Sequence, residues 1–269
     1  MQQFGFFLEI LRYIIRFTQF FGRCFMYSLL ISLGIAILVG LILGILGYIG
    51  LGIFLGIFAF LAAFIFFQRT FSKKLQAVFM AANIEIQKQH FDRAIEILKE
   101  GYRYNKYAFL VRAQIDTQIG IIIYSQKKFG EAFKYLKNSN PRIMMGYLMY
   151  IIGCIKNKNT ENIDKNIDLL IRFNKKDPFV YSVVAYLYEE ELGNRDKALE
   201  TLTKAAKIMP DNPKIKEHLL AFQNNREFKM DKYGEQWYQL MLDRKGLTRL
   251  QNKMMKDQQK SMKVRTFAR

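Results

Sequence analysis

Polar and apolar residues alternate along most of this chain, but between Arg23 and Arg69 the alternation stops. About 45 consecutive positions there carry no charged side chain. A membrane-crossing helix needs only about 20 apolar residues. One continuous helix over the stretch would be about 68 Å long, against a hydrocarbon core near 30 Å, so two passes fit and one does not. Gly47-Tyr48-Ile49-Gly50 offers a turn in the middle. The pattern predicts antiparallel apolar helices over Phe25–Leu46 and Leu51–Phe67, a transmembrane hairpin within residues 25–68. Beyond Phe71 the periodicity changes to that of short amphipathic helices. The expected fold class is therefore all-α: a hairpin, a helical solenoid over residues 71–228, and a basic helix or tail over residues 229–269.

Small residues stripe both arms of the hairpin. The first carries Ala36, Gly40, Gly44 and Gly47, the second Gly52, Gly56, Ala59 and Ala63. Folded on the expected turn, they pair as Gly47 with Gly52, Gly44 with Gly56, Gly40 with Ala59 and Ala36 with Ala63. Close backbone approach through small residues drives helix association where lipid supplies no hydrophobic force. The stripes serve either packing within the hairpin or dimerisation.

Residues 1–24 contain the apolar run Phe4–Phe21, with Glu9, Arg12 and Arg16 spaced onto one helical face. An amphipathic helix in the membrane interface fits that pattern. A third spanning helix would bury three charges, each costing about 2.5–3.5 kcal/mol near the bilayer centre. A cleavable signal peptide is not expected, because the apolar stretch is too long and no small-x-small site follows. Arg12, Arg16 and Arg23 precede the hairpin, and Arg69, Lys73 and Lys74 follow it. Positive flanks on both sides place both ends in the cytoplasm.

Composition sharpens the picture. The 269 residues carry 41 Lys and Arg against 23 Asp and Glu, a formal net charge of +18. Such a balance favours anionic neighbours, of which lipid headgroups are the simplest for a tethered protein. The two cysteines, Cys24 and Cys154, make no disulfide framework, which agrees with a reducing compartment. Abundant Lys, Ile, Asn and Phe suit an AT-rich bacterial genome, so a bacterial inner membrane is the expected address.

A repeat organises the middle of the chain. In Phe179–Asn212, Leu192-Gly193-Asn194 marks a turn between two helices, Ala198 supplies a small residue at their crossing, Leu202 and Ala205 follow, and Pro210 closes the unit. Phe91, Ala94, Leu98 and Gly101 match these positions in an earlier unit, with Ala82 on its first helix. Phe129, Ala132 and Leu136 match in the next, with Gly120 on the first helix. A unit over 142–177 has Asn166 where alanine is expected, and Thr160 as the expected N-cap of its second helix. The pattern resembles the tetratricopeptide repeat, with three or four units covering about half of the chain. It departs from the family at Val78, Asp116 and Ser182, where an aromatic residue is usual, and at Tyr186, where a small one is.

The resemblance implies a groove lined by the first helix of each unit, which binds a peptide or helix. Its lining would be Phe79, Asn83, Ile86, Thr117, Ile121, Tyr124, Val183, Leu187 and Glu190. Asn83 matches one position of the family's carboxylate clamp, but Phe79 stands where its lysine belongs. Pro213–Phe228 would cap the solenoid, since a solenoid end must cover its apolar face. The aromatic segment Tyr233–Leu242, with the single tryptophan Trp237, either packs on the solenoid end or docks a partner. The basic tail, with Arg244, Lys245, Arg249, Lys253, Lys256 and Lys260 in its first part, is solvated, held by anionic lipid, or bound to nucleic acid.

No catalytic constellation is legible. His90 is expected in a turn and His218 on an exposed helix, neither with metal-ligand spacing, and no phosphate-cradling loop occurs. Glu189-Glu190-Glu191 reads as a solvated turn. No cofactor and no metal is expected. Charged residues inside the spans would have signalled a transporter, and none is present. The expectation is a non-enzymatic membrane-anchored scaffold that positions protein partners. The alternative is a structural subunit whose hairpin packs on other membrane helices. Bilayer bending by the hairpin and the interfacial helix is a third possibility.

Overall fold

The computed structural model describes residues 26–45, 49–107, 110–226 and 229–243. The expected interfacial helix, Gly47 of the turn and the basic tail from Arg244 lie outside the described residues. Among the described residues the regular structure is helical throughout, with no strand, so the chain is all-α. Two compact units divide at Ile122 and Ile123.

The N-terminal unit opens with α1, Met26–Ile45, and α2, Ile49–Gln87. At about 1.5 Å per residue, the 20 residues of α1 measure about 30 Å, the thickness of a hydrocarbon core. Both helices are long and apolar enough to cross a membrane. Their outer faces expose Leu38, Leu41, Ile53, Phe54, Phe58 and Phe66. An apolar surface of that extent is stable only when covered by lipid or another protein.

Where the arms touch, the small residues meet. A Cβ on Gly52 would lie 3.1 Å from the Gly40 carbonyl oxygen, and one on Gly56 would lie 3.1 Å from that of Ala36. The stripes therefore pack within the hairpin, in a register that differs from the expected one. Gly40 meets Gly52 rather than Ala59, and Gly56 meets Ala36 rather than Gly44. The cause is local: Ile49 and Gly50 are already helical, so the second arm begins before the expected start at Leu51. Ser28 and Ser32 extend the α1 stripe at the same four-residue interval, and both are fully buried. The Ser32 hydroxyl donates to the Ser28 carbonyl oxygen at 2.7 Å, which satisfies it inside the helix.

The expected end of the second arm at Phe67 is absent, since α2 runs on for another 20 residues. No glycine or proline interrupts Gln68–Gln87. Thr70, the one β-branched residue at the boundary, donates its hydroxyl to the Phe66 carbonyl and stays in the ladder. The second half of α2 pairs with α3, Phe91–Glu100. Ala82 and Ala94 are buried at that pairing with Leu75 and Leu98. A 3₁₀ turn, Gly101–Lys106, follows. A Cβ on its Gly101 would lie 2.9 Å from Ile115 Cδ1, so only glycine fits without displacing that side chain. Phe71, Tyr107 and Tyr27 form an aromatic chain, with centroids 4.6 Å apart for the first pair and 5.8 Å for the second. Tyrosine rings at the end of an apolar span suit a membrane–water interface. Helix α4, Val111–Ser125, crosses into the second unit.

The C-terminal unit continues with α5 (Phe129–Leu136), α6 (Met144–Lys156), α7 (Ile163–Phe173) and α8 (Pro178–Tyr186). It ends with α9 (Arg195–Ile208), α10 (Pro213–Gln223), a 3₁₀ turn (Met230–Tyr233) and α11 (Glu235–Gln239). Consecutive helices pack on each other from α5 to α10. Ala132 and Ala198 are fully buried, as helix crossings require. Gly153 faces the Phe133 ring, where a Cβ would come within 2.6 Å. Gly193 turns the chain with φ +62°, and Asn194 caps α9 by accepting from the Lys197 amide at 3.1 Å. Asp177 and Asn212 cap α8 and α10, each followed by proline at the first helical position.

Two local expectations, at Thr160 and His218, differ from the structure, while the glutamate run is a turn exposed at Glu190 and Glu191 whose form is π-helical. The N-cap of α7 is Asn162, because Thr160 and Glu161 are spent in a preceding turn. Glu189–Glu191 belong to a π-helical turn, Leu187–Glu191, that continues α8. His218 is buried at 1% exposure, not exposed.

Candidate functional site

The nine groove residues divide between the two units. On α2, Asn83 is exposed while Phe79 and Ile86 are half-buried. On α4, Ile121 is half-buried and Thr117 is buried. The Thr117 hydroxyl is turned back to its own helix, onto the Ala113 carbonyl at 2.5 Å. In the C-terminal unit Glu190 is exposed, while Tyr124, Val183 and Leu187 are buried. Thr117, Tyr124, Val183 and Leu187 therefore present no open lining in this structure.

At Tyr124 the cover is the chain's own C-terminal segment. The Tyr124 hydroxyl donates to the Leu240 carbonyl oxygen at 2.7 Å, across 116 positions of sequence. Leu240 is fully buried, and Trp237 is 2% exposed. The Trp237 ring meets Tyr186 of α8 edge-on, with centroids 4.9 Å apart. Four residues earlier, Tyr233 lies against Phe179 of α8 at 5.0 Å and edge-on to His218 of α10 at 5.8 Å. Residues 230–240 thus lie as a strap across Tyr124, α8 and α10. The aromatic segment packs on helix faces that include predicted groove positions.

A buried polar chain runs under the strap. His218 Nδ1 lies 2.9 Å from Ser182 Oγ, which lies 2.9 Å from the Tyr233 hydroxyl. That hydroxyl also reaches the Pro178 carbonyl at 3.1 Å. Burial holds His218 below the ordinary histidine value, opposed by a hydrogen bond to the Lys229 backbone. The imidazole is therefore neutral at pH 7. Burial likewise pushes Tyr233 up to about 12, opposed by its bond to Ser182. Burial raises Tyr186 to about 12, and the charges of Glu190, Glu191 and Asp243 add to the shift. At the strap's outer edge, Lys214 lies 4.3 Å from the Tyr233 ring centroid, and Lys232 pairs with Glu217.

Other polar clusters are local stabilising pairs. The Glu85 carboxyl is lowered by hydrogen bonds from Lys88 and then His90. Asp164 is lowered by Lys197 and then Tyr188. In the N-terminal unit the Tyr102 hydroxyl donates to Asp116, which also pairs with Arg112 at 3.7 Å. Among the described residues, no three His, Cys, Asp or Glu side chains gather as a metal site would require. A surface concavity of about 410 Å³ on α2 is lined by Phe64, Ile65, Gln68, Arg69, Ser72 and Lys73. It has the mixed apolar and cationic character expected where a helix leaves a bilayer.

No protein-family model matches the sequence, and no curated protein does. Among solved structures, one described as the "MamA RS-1 ArsTM double mutant" is similar at 20% identity. The alignment covers 66% of this chain and 96% of that one, with a TM-score of 0.42. At that score the likeness carries no argument about function.

Proposed function

We propose that this chain is a non-enzymatic scaffold, anchored in a membrane by the α1–α2 hairpin, whose tetratricopeptide-like helix pairs position protein partners. The observation that carries the reading is the continuity of α2. One unbroken helix starts among the apolar residues of the hairpin and ends paired with α3. A partner bound to such a domain is held near the membrane at raised local concentration, so weak contacts suffice. Alanines buried at the helix pairings, Ala94, Ala132 and Ala198, support the repeat character. The expected address is the inner face of a bacterial inner membrane. The expected guest is a helix or peptide, and the basic tail would add attraction to anionic lipid.

The test is a paired purification. Full-length protein is captured from its native membrane in mild detergent, and a version lacking Gln2–Gln68 from lysate. That deletion leaves Leu75, Val78, Ala82 and Glu85, the buried residues of α2 beyond Gln68. The shortened protein is expected to dissolve without detergent and recover the same partner. Recovery of nothing above background would end the scaffold reading. The structural-subunit reading loses one support, because Gly52 and Gly56 already meet α1. Replacing the hairpin with a foreign anchor separates the two: restored function favours the scaffold, loss favours the subunit.

A further inference from the structure

Three features of the strap set it apart from the helix pairs it covers. It is built of a four-residue 3₁₀ turn and a five-residue helix, too short to hold their shape unaided. Its buried side chains are Met230, Tyr233, Trp237 and Leu240, and the contacts described above are made by the last three positions. Aromatic anchors in buried pockets are the signature of a binding interface. Its contacts also fall on the two positions where the last repeat departs from its pattern. Ser182, small where an aromatic is usual, admits the Tyr233 hydroxyl at 2.9 Å, and Tyr186, large where a small residue is usual, meets Trp237. The strap uses both departures, and Ser182 also bonds His218 of α10.

We propose that the face formed by Tyr124, α8 and α10 is a docking site for an aromatic-anchored segment, with residues 230–240 as its built-in occupant. A partner with the strap's own spacing displaces it: aromatic, three residues, aromatic, two residues, aliphatic. The polar requirement is equally specific. The first anchor must bring a hydroxyl, because the Ser182 and His218 pair lies buried beneath it. A phenylalanine there would remove one of the hydrogen bonds of Ser182. The inference rests on the scaffold reading and adds that the C-terminal docking face is closed until a competitor arrives. Tethering is the mechanism of closure. A segment joined by a short connection competes at an effective concentration in the millimolar range.

The test cuts the tether and leaves the rest of the protein intact. A protease recognition sequence is inserted after Arg226 in the full-length chain, which is purified in detergent. The probe is a fluorescent peptide of residues 229–243, with a control peptide carrying Y233A, W237A and L240A. The uncut protein is expected to bind the probe weakly. Cutting should strengthen its apparent affinity by roughly 10²–10⁴-fold, the usual worth of a lost tether. Helical circular dichroism and Tm should stay close to those of the uncut protein, and the control peptide should not bind. Two results would overturn the proposal. The cut protein could lose its helical signal, which makes the strap part of the core. It could also keep its fold yet take up no probe, which makes the contact inert. Neither result touches the scaffold reading, whose partner is sought separately by the paired purification.

Discussion

At the residue scale, His218 is the group whose chemistry is most constrained. It faces Ser182 and Tyr233, bonds the Lys229 backbone, and has Glu217, Lys214 and Lys232 as its charged neighbours. Burial lowers its folded pKa beneath the ordinary value near 6.5. The unfolded chain therefore binds a proton in a range where the folded chain resists it. The corresponding stability is complete above about pH 6.5 and is lost as pH falls from there through the folded pKa. Thermal melts of the detergent-solubilised protein should show Tm falling between pH 7 and pH 5. The emission of Trp237, the chain's single tryptophan, should shift red at the same time if the strap is what loosens. The H218Q variant should lose most of the fall below pH 6.5 that carboxylates do not explain. An equal slope in wild type and variant would remove His218 from the account. None of this was legible at His218 itself, whose helix alone looks solvated. The Tyr233 ring that lies against it comes from fifteen positions later in sequence.

At the element scale, sequence and structure agree where the cause is local and part where it is not. The apolar helices, the turn at Leu192-Gly193-Asn194 and the small crossings at Ala94, Ala132 and Ala198 follow from side-chain size and backbone preference. Each was visible residue by residue. The end of the second apolar helix was not, because loss of hydrophobicity at Gln68 ends a membrane span without ending a helix. The hairpin register failed for a related reason. Glycine at position 50 marked a turn, yet glycine inside an apolar span is tolerated as a close-packing residue. The register is testable by disulfide trapping in a background lacking Cys24 and Cys154. The pair G40C/G52C should cross-link readily in membranes, since each glycine faces the other's carbonyl. The pair G40C/A59C, which the expected turn would have joined, should not. The opposite ranking would restore the expected turn. Which of the nine expected groove positions are buried was not legible. Tyr124, Val183 and Leu187 carry no mark of burial in their own repeats, and at Tyr124 the cover comes from 116 positions away.

At the scale of the whole chain, the arrangement is decided by which medium each surface can tolerate. The hairpin exposes apolar side chains along both arms with no charge among them, whereas α2 beyond Gln68 at once carries Arg69, Lys73 and Lys74. Lysine and arginine close to a span hold that end on the cytoplasmic side, and an even number of crossings returns the chain to the side it left. The aromatic chain Tyr27, Phe71 and Tyr107 links the start of α1 to α2 just beyond its apolar half, where a membrane–water boundary is expected. Both ends of the hairpin, and the helix pairs after it, should therefore share one compartment. Protease added to intact cells or spheroplasts should leave the helix pairs uncut, and the same protease added to inverted membrane vesicles should degrade them. Changing Arg69, Lys73 and Lys74 together to glutamine should weaken that preference and yield a mixed population, while the apolar arms still insert. Helix pairs cut from outside in the unaltered protein would reverse the orientation and remove cytoplasmic partners from the function proposed for it.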